Sequence, residues 1–576
     1  MAACAIAQAA LVAASPGDWP MAAHDDANTR YSPLAEITVS NVARLRPAWT
    51  FSTSTDKGEE GAPIVADRAM FVATAFPNRV LAFDLSGSGP RLLWTFDPKA
   101  NPGARGVACC DVVNRGAVYA DGRLFFCTLD NQVLALDART GRELWRRSLG
   151  EFSTGQSMTM APIVVRDKLL VGNDGDDFGV RGFIAALDVA TGAERWRAWS
   201  TGPDADVRIG PGFAPFYAGD RGKDLGVSTW PPQAWRIGGG TVNGWLSYDA
   251  QLDLVYHGTG SPAPRNPVQR PGDNKWTSTL FARRPDSGEA VWAYQTSPHD
   301  RHRYDGGNES VLVDLAIGGR TRHVLLHPDR NGYVYVMDRA TGELLSADPY
   351  VLVTTSHGVD PASGALRYDP GKDPGLDRVA REICPGSAGA KNWQPSAWSP
   401  RTGLLYLPHQ NLCEDAALYE VGHVSGTPYL GTQARMHRAP GAPRGELAAW
   451  DPVARRKAWT AREAFPVWSG ALATAGDLVF YGTMDGWFKA VDARNGKELW
   501  KFRTVSGIVG QPVSFTAGDG HQCIAVLAGV GGWAGLVVSN DLDTRDGTAA
   551  GGFVEAMKDL PAATSRGGML YVFRLP

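Results

Sequence analysis

The amino-acid sequence predicts an all-β fold, specifically an eight-bladed β-propeller with tryptophan-docking repeats. Three observations support this fold class. A motif of the form Asp-x-x-x-Gly-x-x-x-Trp recurs along the chain. Short stretches that alternate apolar and polar residues flank it and are separated by Asp-Gly or Thr-Gly pairs, which is typical of β-hairpins. Glycine (67), proline (38) and tryptophan (19) are abundant among the 576 residues, as expected for many turns and buried indoles.

The repeat is clearest at residues 137–145, 188–196 and 492–500. Weaker copies end at Trp94, Trp292, Leu345 and Trp459, and an eighth blade end is expected at Trp49. One four-stranded sheet cannot bury both of its faces, whereas sheets repeated around an axis bury them against one another. We expect the indole at the end of each unit to wedge between neighbouring sheets.

Within one unit, the pattern predicts strands at residues 478–482 and 487–491, a turn at 484–486, an Asn495-Gly496 turn and a further strand from Glu498. Residues 569–576 form a clean strand pattern, and we expect them to pair with N-terminal strands and close the ring. The stretch from Cys384 to Arg444 is rich in glycine and proline, and we expect it to be a loop excursion.

The chain is expected to consist of a leader over residues 1–18 and a single propeller over residues 19–576. Residues 5–15 look like the tail of a secretory signal, which predicts a periplasmic protein; a short disordered leader is the alternative. The adjacent Cys109 and Cys110, and the pair Cys384 and Cys413, which could close a loop, also suit an oxidising compartment. No stretch approaches the ~20 apolar residues of a membrane span. The 57 basic and 60 acidic residues form no basic run, so nucleic acid is not an expected partner.

Five segments of the sequence contain the candidate functional residues. Residues 106–116 read Gly-Val-Ala-Cys-Cys-Asp-Val-Val-Asn-Arg-Gly, and residues 270–276 read Arg-Pro-Gly-Asp-Asn-Lys-Trp. Residues 390–395, 466–472 and 529–535 read Ala-Lys-Asn-Trp-Gln-Pro, Pro-Val-Trp-Ser-Gly-Ala-Leu and Gly-Val-Gly-Gly-Trp-Ala-Gly. Taken together, these motifs resemble those of the methanol and alcohol dehydrogenases that depend on pyrroloquinoline quinone (PQQ). The resemblance runs from about Trp19 onward.

The resemblance implies a periplasmic enzyme that oxidises primary alcohols to aldehydes with PQQ at one end of the central channel. It implies a calcium or lanthanide ion beside the quinone, an aspartate as general base and a c-type cytochrome as electron acceptor. The substrate would be a small alcohol, and a homodimer is an open option for the assembly. The chain has no Cys-x-x-Cys-His motif, so no covalently attached haem of its own is expected.

The matching positions define the expected cofactor site. A disulfide between Cys109 and Cys110 would cover the quinone, with two buried free thiols as the alternative reading of this pair. Cys384 and Cys413 match a second disulfide of the family. A quinone with three carboxylates needs cations and donors at its rim and flat surfaces above and below. The residues that match cofactor contacts are Glu60, Arg115, Thr159, Gly175, Asp176, Thr241, Asn243, Arg330, Asn392, Trp468 and Trp533.

Four of the family's positions have changed. The floor tryptophan is replaced by Asn243, so that stacking surface is lost or supplied by another side chain. A metal-binding asparagine is replaced by Ser261, and a metal-binding glutamate by Asp177, which still suits a hard cation but reaches less far. The catalytic aspartate aligns with Arg303, and an arginine neither acts as a base at ordinary pH nor ligates a cation. Asp305 matches an extra carboxylate of the lanthanide-using branch.

Two hypotheses follow from Arg303. In the first, its guanidinium replaces the metal as the positive charge near the quinone, pairs with Asp177 or Asp305, and leaves the role of base to another group. His302 and Asp300 are the nearest candidates in sequence. In the second, the reaction is lost, and the protein is a catalytically silent or repurposed propeller that binds another ligand or a partner. A residual metal site built from Asp177 and Asp305 is the remaining option.

Overall fold

The computed structural model describes residues 17–87, 89–108 and 110–576. The expected leader falls almost entirely on residues 1–16, which lie outside the described residues, as do Ser88 and Cys109. Strands dominate the described chain, so the all-β class is confirmed. Among the described residues, no helix is both long and apolar enough to cross a lipid bilayer.

The first two strands are β1 (Tyr31–Ser32) and β2 (Arg46–Ser52), and both join sheets that are built mainly by later strands. Five four-stranded antiparallel sheets then follow in chain order. Their strands are β3 (Ile64–Ala66), β4 (Ala69–Ala73), β5 (Val80–Asp84) and β6 (Arg91–Phe96); β7 (Ala117–Ala120), β8 (Arg123–Cys127), β9 (Gln132–Asp137) and β10 (Glu143–Ser148); β11 (Ile163–Val165), β12 (Lys168–Gly172), β13 (Phe183–Asp188) and β14 (Glu194–Trp199); β15 (Ser247–Asp249), β16 (Leu254–Gly258), β17 (Thr279–Arg283) and β18 (Ala290–Gln295); and β19 (Val311–Ile317), β20 (Arg320–Pro328), β21 (Tyr333–Asp338) and β22 (Leu344–Pro349).

Three more large sheets and two small ones complete the described architecture. The large sheets are β26 (Ala397–Ser399), β27 (Leu404–Gln410), β30 (Gly445–Asp451) and β31 (Arg456–Glu463); β32 (Leu472–Thr474), β33 (Leu478–Gly482), β34 (Trp487–Asp492) and β35 (Glu498–Arg503), with β1 added in parallel beside β32; and β36 (Val513–Thr516), β37 (Gln522–Ala528) and β38 (Met569–Arg574), with β2 beside β38. The small sheets are β23 (Ser356–Val359) with β24 (Leu366–Tyr368), and β25 (Ala380–Ile383) with β28 (Leu412–Leu418) and β29 (Thr432–Arg438).

Helices are few and short within the described ranges. The α-helices are α1 (Asp204–Val207), α2 (Leu225–Ser228), α3 (Gly532–Ser539) and α4 (Phe553–Met557). Single turns of 3-10 helix span Val42–Arg44, Pro102–Gly106, Phe152–Thr154, Asp176–Phe178, Ala218–Asp220, Ala234–Ile237, Pro267–Gln269, Pro370–Lys372, Ala549–Gly552 and Leu560–Ala562.

The repeated motif forms the turn between the third and fourth strands of a sheet. At the copy in residues 492–500, the carboxylate of Asp492 accepts a hydrogen bond from the Arg494 amide at 2.8 Å, which stabilises the turn. Gly496 has a φ of +74°, and a Cβ there would lie 2.4 Å from the Trp459 ring of the preceding sheet. Only glycine therefore satisfies both the turn and the close approach of the indole.

The same contact joins several pairs of consecutive sheets. In each pair, the indole N–H of one sheet donates to a main-chain carbonyl at the turn of the next. The pairs are Trp94 with Ala138 (3.2 Å), Trp145 with Val189 (3.1 Å), Trp196 with Pro285 (2.8 Å), Trp292 with Arg339 (3.2 Å) and Trp459 with Ala493 (3.0 Å).

The hydrophobic core lies between neighbouring sheets. One buried cluster, for example, combines Ile64 and Phe71 of one sheet with Leu124 and Phe126 of the next. First strands of consecutive sheets also contact one another, as in the pairs β3 with β7, β7 with β11, β15 with β19, β26 with β32 and β32 with β36. The segments that lead into these strands therefore converge on one region.

Two expectations about the last third of the chain have different outcomes. The pairing of the C-terminal strand with an N-terminal strand is confirmed, because β38 pairs with β2, with Leu570 opposite Phe51. The loop excursion expected between Cys384 and Arg444 is wrong. This stretch contains β26 to β29, and β27 pairs with β30 in a four-stranded sheet. The apolar run of β27 is fully buried, and the surrounding glycine and proline residues concealed it.

The predicted disulfide between Cys384 and Cys413 is confirmed. It joins the end of β25 to β28 in the small three-stranded sheet. Among the described residues, Cys127 and Cys523 are free thiols, and both are buried.

Candidate functional site

One cavity gathers most of the residues that the sequence predicted as a site. Its empty volume, which includes space open to solvent, is about 690 Å³. Its wall contains the predicted residues Glu60, Cys110, Arg115, Thr159, Gly175, Asp176, Asp177, Asn243, Arg303, Asp305, Arg330, Asn392, Trp468 and Trp533.

The fold explains why residues so distant in sequence meet. The segments that lead into the first strands β3, β7, β11, β15, β19, β26 and β32 each contribute at least one lining residue. Because these first strands contact one another around a common region, the segments before them share one space. A cavity built in this way draws its wall from seven of the eight large sheets, and Trp533, between β37 and β38 of the eighth, completes it.

Arg115 organises one side of the cavity. Its Nε donates to Glu60 at 3.1 Å, and its Nη1 donates to the Thr159 hydroxyl at 3.0 Å and to the Asn243 carbonyl at 2.9 Å. The Asn243 and Thr159 side chains both donate to Asp174. Burial raises the pKa of Glu60 to about 7, although the Arg115 charge opposes this shift. Asn243 thus supports polar neighbours through hydrogen bonds.

Asp177 holds two guanidinium groups on another side. Arg303 Nη2 donates to Asp177 Oδ2 at 2.6 Å, while Arg265 donates to Oδ1 from Nε at 3.0 Å and from Nη2 at 2.8 Å. The Arg303 guanidinium also lies 4.4 Å from the centre of the Trp533 ring. Burial alone would raise the pKa of Asp177, but the Arg265 and Arg303 charges hold it below its usual value. The carboxylate is therefore ionised and fully engaged.

A second ion pair lies beside the first. Arg330 Nη2 is 2.7 Å from Asp305 Oδ2, and the main-chain N–H of Ser261 donates to Asp305 Oδ1 at 3.0 Å. Ser261 thus contacts the site only through this main-chain hydrogen bond and does not form part of the cavity wall. The resemblance had placed Ser261 and Asp305 at metal-ligand positions, and the structure brings them together as a carboxylate and its hydrogen-bond donor.

Asp176 lies between these groups and the loop at residue 260. Its Oδ1 accepts a hydrogen bond from the Thr241 amide at 2.8 Å. A Cβ at Gly260 would lie 2.0 Å from Asp176 Oδ2. Any residue larger than glycine at position 260 would therefore clash with this carboxylate. Burial, followed by the nearby Asp305 charge, raises the pKa of Asp176 well above its usual value. Thr241 acts behind the wall, by holding Asp176.

Two predicted groups lie away from the cavity wall. The His302 ring is buried beside Tyr304 and Tyr368, with ring centres 5.5 and 6.4 Å away. Neither ring nitrogen of His302 makes a hydrogen bond, and burial lowers its pKa to about 3. Asp300 accepts hydrogen bonds from the His302 and Tyr304 amides, and burial raises its pKa to about 6. Neither residue contributes to the lining.

The cysteine pair is described in part. Cys110 is disulfide-bonded and lines the cavity. Cys109, its expected partner, lies outside the described residues.

Sequence reasoning missed several residues of the site, including Arg265 behind the cavity wall and Asp174 and Trp393 within it. Arg265 provides the second guanidinium on Asp177, Asp174 binds both Asn243 and Thr159, and Trp393 lies 5.3 Å from the Arg115 guanidinium. Arg265 follows Pro-Ala-Pro directly after Ser261, so its place next to a changed ligand position was an available signal. Asp174 and Trp393 were next to matched residues, but nothing in their spacing indicated a contact.

The wall fits a flat, anionic ligand. Nε and Nη1 of both Arg303 and Arg330 are buried and make no hydrogen bond within the protein. Unpartnered buried donors are rare and costly, and a ligand with carboxylate or carbonyl oxygens would satisfy them. The disulfide-bonded Cys110 and the indoles of Trp468 and Trp533 supply apolar surfaces in the same wall. PQQ has this combination of oxygens and a planar ring.

The same residues do not fit a metal ion. Both oxygens of Asp177 bind guanidinium groups, and those of Asp305 are taken by Arg330 and by the Ser261 amide. Within residues 17–87, 89–108 and 110–576, ligand atoms of three His, Cys, Asp or Glu residues converge within 4.8 Å only at Glu382, Cys384 and Cys413. There the two sulfurs are bonded to each other. The carboxylates of the cavity do not converge in this way.

Comparison with known proteins defines the class of the chain. Residues 19–347 and 441–524 match the family model described as "PQQ: Glucose/ethanol/alcohol dehydrogenase, beta-propeller domain". The chain belongs to this family of PQQ-dependent β-propeller dehydrogenases, which are quinoprotein oxidoreductases.

Within that family, the chain is similar to methanol dehydrogenases along nearly its whole length. It is 46% identical over 566 residues to the lanthanide-dependent methanol dehydrogenase of Methylacidiphilum fumariolicum (strain SolV), covering 97% of this chain and 93% of the relative. It is 42% identical over 575 residues to methanol dehydrogenase [cytochrome c] subunit 1 of Methylobacterium organophilum, covering 97% and 91%. A solved structure of a europium-containing methanol dehydrogenase superposes with a TM-score of 0.96 at 45% identity, covering 97% of this chain and 98% of that one.

Proposed function

We propose that this protein is a periplasmic PQQ-dependent dehydrogenase that oxidises small primary alcohols to aldehydes and passes the electrons to a c-type cytochrome. The observation that carries this proposal is the pair of buried arginines, Arg303 and Arg330, whose unpartnered N–H groups line one cavity with Trp468 and Trp533. The similar proteins are named as methanol dehydrogenases, and one is named for cytochrome c. These relatives do not favour the alternative of a silent, partner-binding propeller.

The proposal includes the architecture that holds the cavity. We infer that residues 19–576 form one unit, in which the eight large sheets are the blades of a closed ring. The indole contacts between consecutive sheets support tryptophan docking, and the β2–β38 pair supports closure of the ring. The expected leader would direct the chain to the periplasm.

Each part of the wall has a task in this proposal. Arg115 and Arg330 would bind carboxylates of the cofactor, with Thr159 and Asn392 as further hydrogen-bonding groups. Trp468, Trp533 and Cys110 would pack against its ring and exclude water. When bound, PQQ supplies a quinone that takes up two electrons and two protons as an alcohol becomes an aldehyde. Arg303 stays protonated and donates hydrogen bonds. Burial lowers its pKa, but the charges of Asp177, Asp305 and Asp176 outweigh that effect and keep the pKa above its usual value.

The test is the absorbance spectrum of protein incubated with PQQ and then separated from free PQQ by gel filtration. We expect a quinone band in a ratio of one to one, and reduction of an artificial dye when a primary alcohol is added. Reduction of a c-type cytochrome, followed at its haem band, checks the acceptor. A well-folded sample that retains no PQQ would contradict the proposal.

Arg330→Gln is the informative variant, because it removes a cavity guanidinium and should weaken PQQ binding at least tenfold. Arg322→Gln is its matched control. Arg322 pairs with Asp338 and Glu343 outside the cavity, and its loss should leave PQQ binding within about twofold. Equal effects of the two changes would show that the cavity does not hold the cofactor.

A further inference from the structure

An ion-pair network of Asp177, Arg265 and Arg303 lies beside Trp533, and of its three members Asp177 and Arg303 line the cavity. The side chains of Asp177, Arg265 and Arg303 are 9%, 12% and 7% exposed. Asp177 Oδ1 is bound twice by Arg265, and Oδ2 is bound by Arg265 at 2.9 Å and by Arg303 at 2.6 Å. Every oxygen that this carboxylate offers is thus directed at a fixed positive charge.

The neighbouring carboxylate is engaged in the same way. Asp305 pairs with Arg330 through one oxygen and accepts the Ser261 amide with the other. Three guanidinium groups, those of Arg265, Arg303 and Arg330, therefore face two carboxylates.

A cation that entered this network would have to displace a guanidinium from each carboxylate. The displaced Arg303 would lose its ion pair and its position over the Trp533 ring, which is 4.4 Å away. The cost of leaving a buried charge unpaired is high. The network therefore favours its own guanidinium groups over an added metal ion.

The same network is incomplete on its donor side. Nε and Nη1 of Arg303 are buried and make no hydrogen bond, and so are Nε and Nη1 of Arg330. Both residues line the cavity. Four N–H-bearing nitrogens therefore have no acceptor within the protein. A ligand with carbonyl or carboxylate oxygens can supply the acceptors.

We propose that Arg303, fixed by Asp177 and Arg265, is a built-in cation that takes the place of a metal ion, so that this protein binds an anionic quinone without calcium or a lanthanide. The inference rests on the proposed function, since it assumes that the quinone is PQQ. It extends that function by assigning the positive charge beside the quinone to the chain itself. It also separates this chain from relatives that are named as lanthanide-dependent.

The first experiment measures PQQ binding in the presence and absence of metal. Protein is dialysed against EDTA, its calcium and lanthanide contents are determined by mass spectrometry, and PQQ is titrated while tryptophan fluorescence is followed. We expect one-to-one binding in EDTA, with a Kd that changes less than about twofold after calcium or lanthanum is added. Binding that requires metal, or that metal tightens more than tenfold, overturns this inference but leaves the proposed function intact. No binding under any condition overturns both.

The second experiment asks whether the guanidinium excludes a cation. Terbium(III) is titrated into the protein, and its luminescence is excited through tryptophan, because Trp533 lies against Arg303. The unaltered protein should give no saturable signal at micromolar terbium. Arg303→Asp should give one, because it replaces the guanidinium with a carboxylate beside Asp177 and Asp305. Arg301→Asp makes the same change outside the cavity wall and should give none.

A third variant covers the case in which Arg303→Asp does not fold. Arg303→Gln removes the charge and keeps a hydrogen-bonding group, so PQQ affinity in EDTA should fall about tenfold to a hundredfold. Arg301→Gln should change this affinity less than about twofold. Two results would contradict the inference. One is that the unaltered protein binds terbium and needs it to bind PQQ, and the other is that PQQ affinity is unchanged in Arg303→Gln.

Discussion

Two buried ion clusters in this protein use similar groups and differ in how completely they are paired. In the core, Lys391 Nζ lies 2.6 Å from Glu309 Oε2, both side chains are fully buried, and the Ser396 amide donates to Glu309 Oε1 at 2.8 Å. Neither Lys391 nor Glu309 keeps a buried polar atom without a hydrogen bond. At the cavity, Asp177 is equally well paired, but Arg303 keeps two nitrogens without an acceptor.

The difference separates a group that maintains the fold from one that is prepared for a ligand. A fully paired group in the core has no free donor or acceptor for a ligand, so its removal should affect stability. An open cluster in a cavity wall carries the cost of its unpaired donors until an acceptor arrives, so its removal should affect binding more than folding. The protonation behaviour also differs. Burial lowers the pKa of Lys391 to about 8 against the opposing charge of Glu309, whereas the surrounding carboxylates raise that of Arg303.

The largest expected effect is on the core pair. Lys391→Met leaves the Glu309 carboxylate buried without its partner and should cost about 3–5 kcal/mol of unfolding free energy. Urea denaturation at pH 7 measures it. Lys99→Met is the control, since Lys99 is exposed and pairs with Asp97 at the surface, where such a pair contributes at most about 1 kcal/mol. A loss below about 1 kcal/mol in Lys391→Met would remove the distinction between the two clusters.

A smaller effect on stability and a larger effect on the ligand are expected at the cavity. Arg303→Gln leaves Asp177 paired with Arg265, so the unfolding free energy should fall by no more than about 1.5–3 kcal/mol. Excess PQQ should raise the melting temperature of the unaltered protein by mass action, and this rise should largely disappear in the variant. Thermal unfolding with and without PQQ measures both quantities. A full PQQ-dependent rise in the variant would mean that Arg303 is structural, like Lys391.

The acidic side of the cavity predicts a pH dependence. Glu60 has a pKa of about 7 because of its burial, so it is neutral below that pH and anionic above it. An anionic cofactor is repelled by the ionised form, and PQQ affinity should therefore fall about threefold to tenfold as the pH rises from 6 to 8. Fluorescence titrations across this range measure the change, and Glu60→Gln should flatten it. An affinity that rises with pH would reverse the assigned sign.

The smallest effect is expected at His302. His302→Phe keeps a ring of similar size beside Tyr304 and Tyr368 and removes two nitrogens that make no hydrogen bond. Because the ring is not part of the cavity wall, alcohol-dependent dye reduction should stay within about twofold of the unaltered protein. Turnover lowered a hundredfold in a variant of normal stability would restore His302 as the base.

The sequence predicted those strands and turns that are determined by residues close together in the chain. The strands and turns in residues 478–503 could be located because alternation and Asp or Gly turn residues act over a few positions. Most lining residues were found through the resemblance, which aligned Arg303 and Asp177 with a catalytic residue and a metal ligand. Their pairing was one of two options named in advance, and the structure selects Asp177.

The remaining features depend on contacts between distant parts of the chain. Arg265 lies 88 residues from Asp177 in sequence, and no local pattern indicates that its guanidinium should turn towards that carboxylate. The strands between Cys384 and Arg444 were missed for a related reason. β27 pairs with β30, which lies beyond a glycine- and proline-rich stretch, and turn-forming composition outweighed the short apolar run of β27.

The pairing of β2 with β38 also constrains the order in which the molecule can mature. A ribosome makes residues 46–52 more than five hundred residues before their neighbours at 569–574. The cavity draws its wall from residues as far apart as Glu60 and Trp533, so its chamber is incomplete until Trp533 has been synthesised. A ligand that contacts the whole wall can therefore bind only after this late segment has folded against the earlier ones.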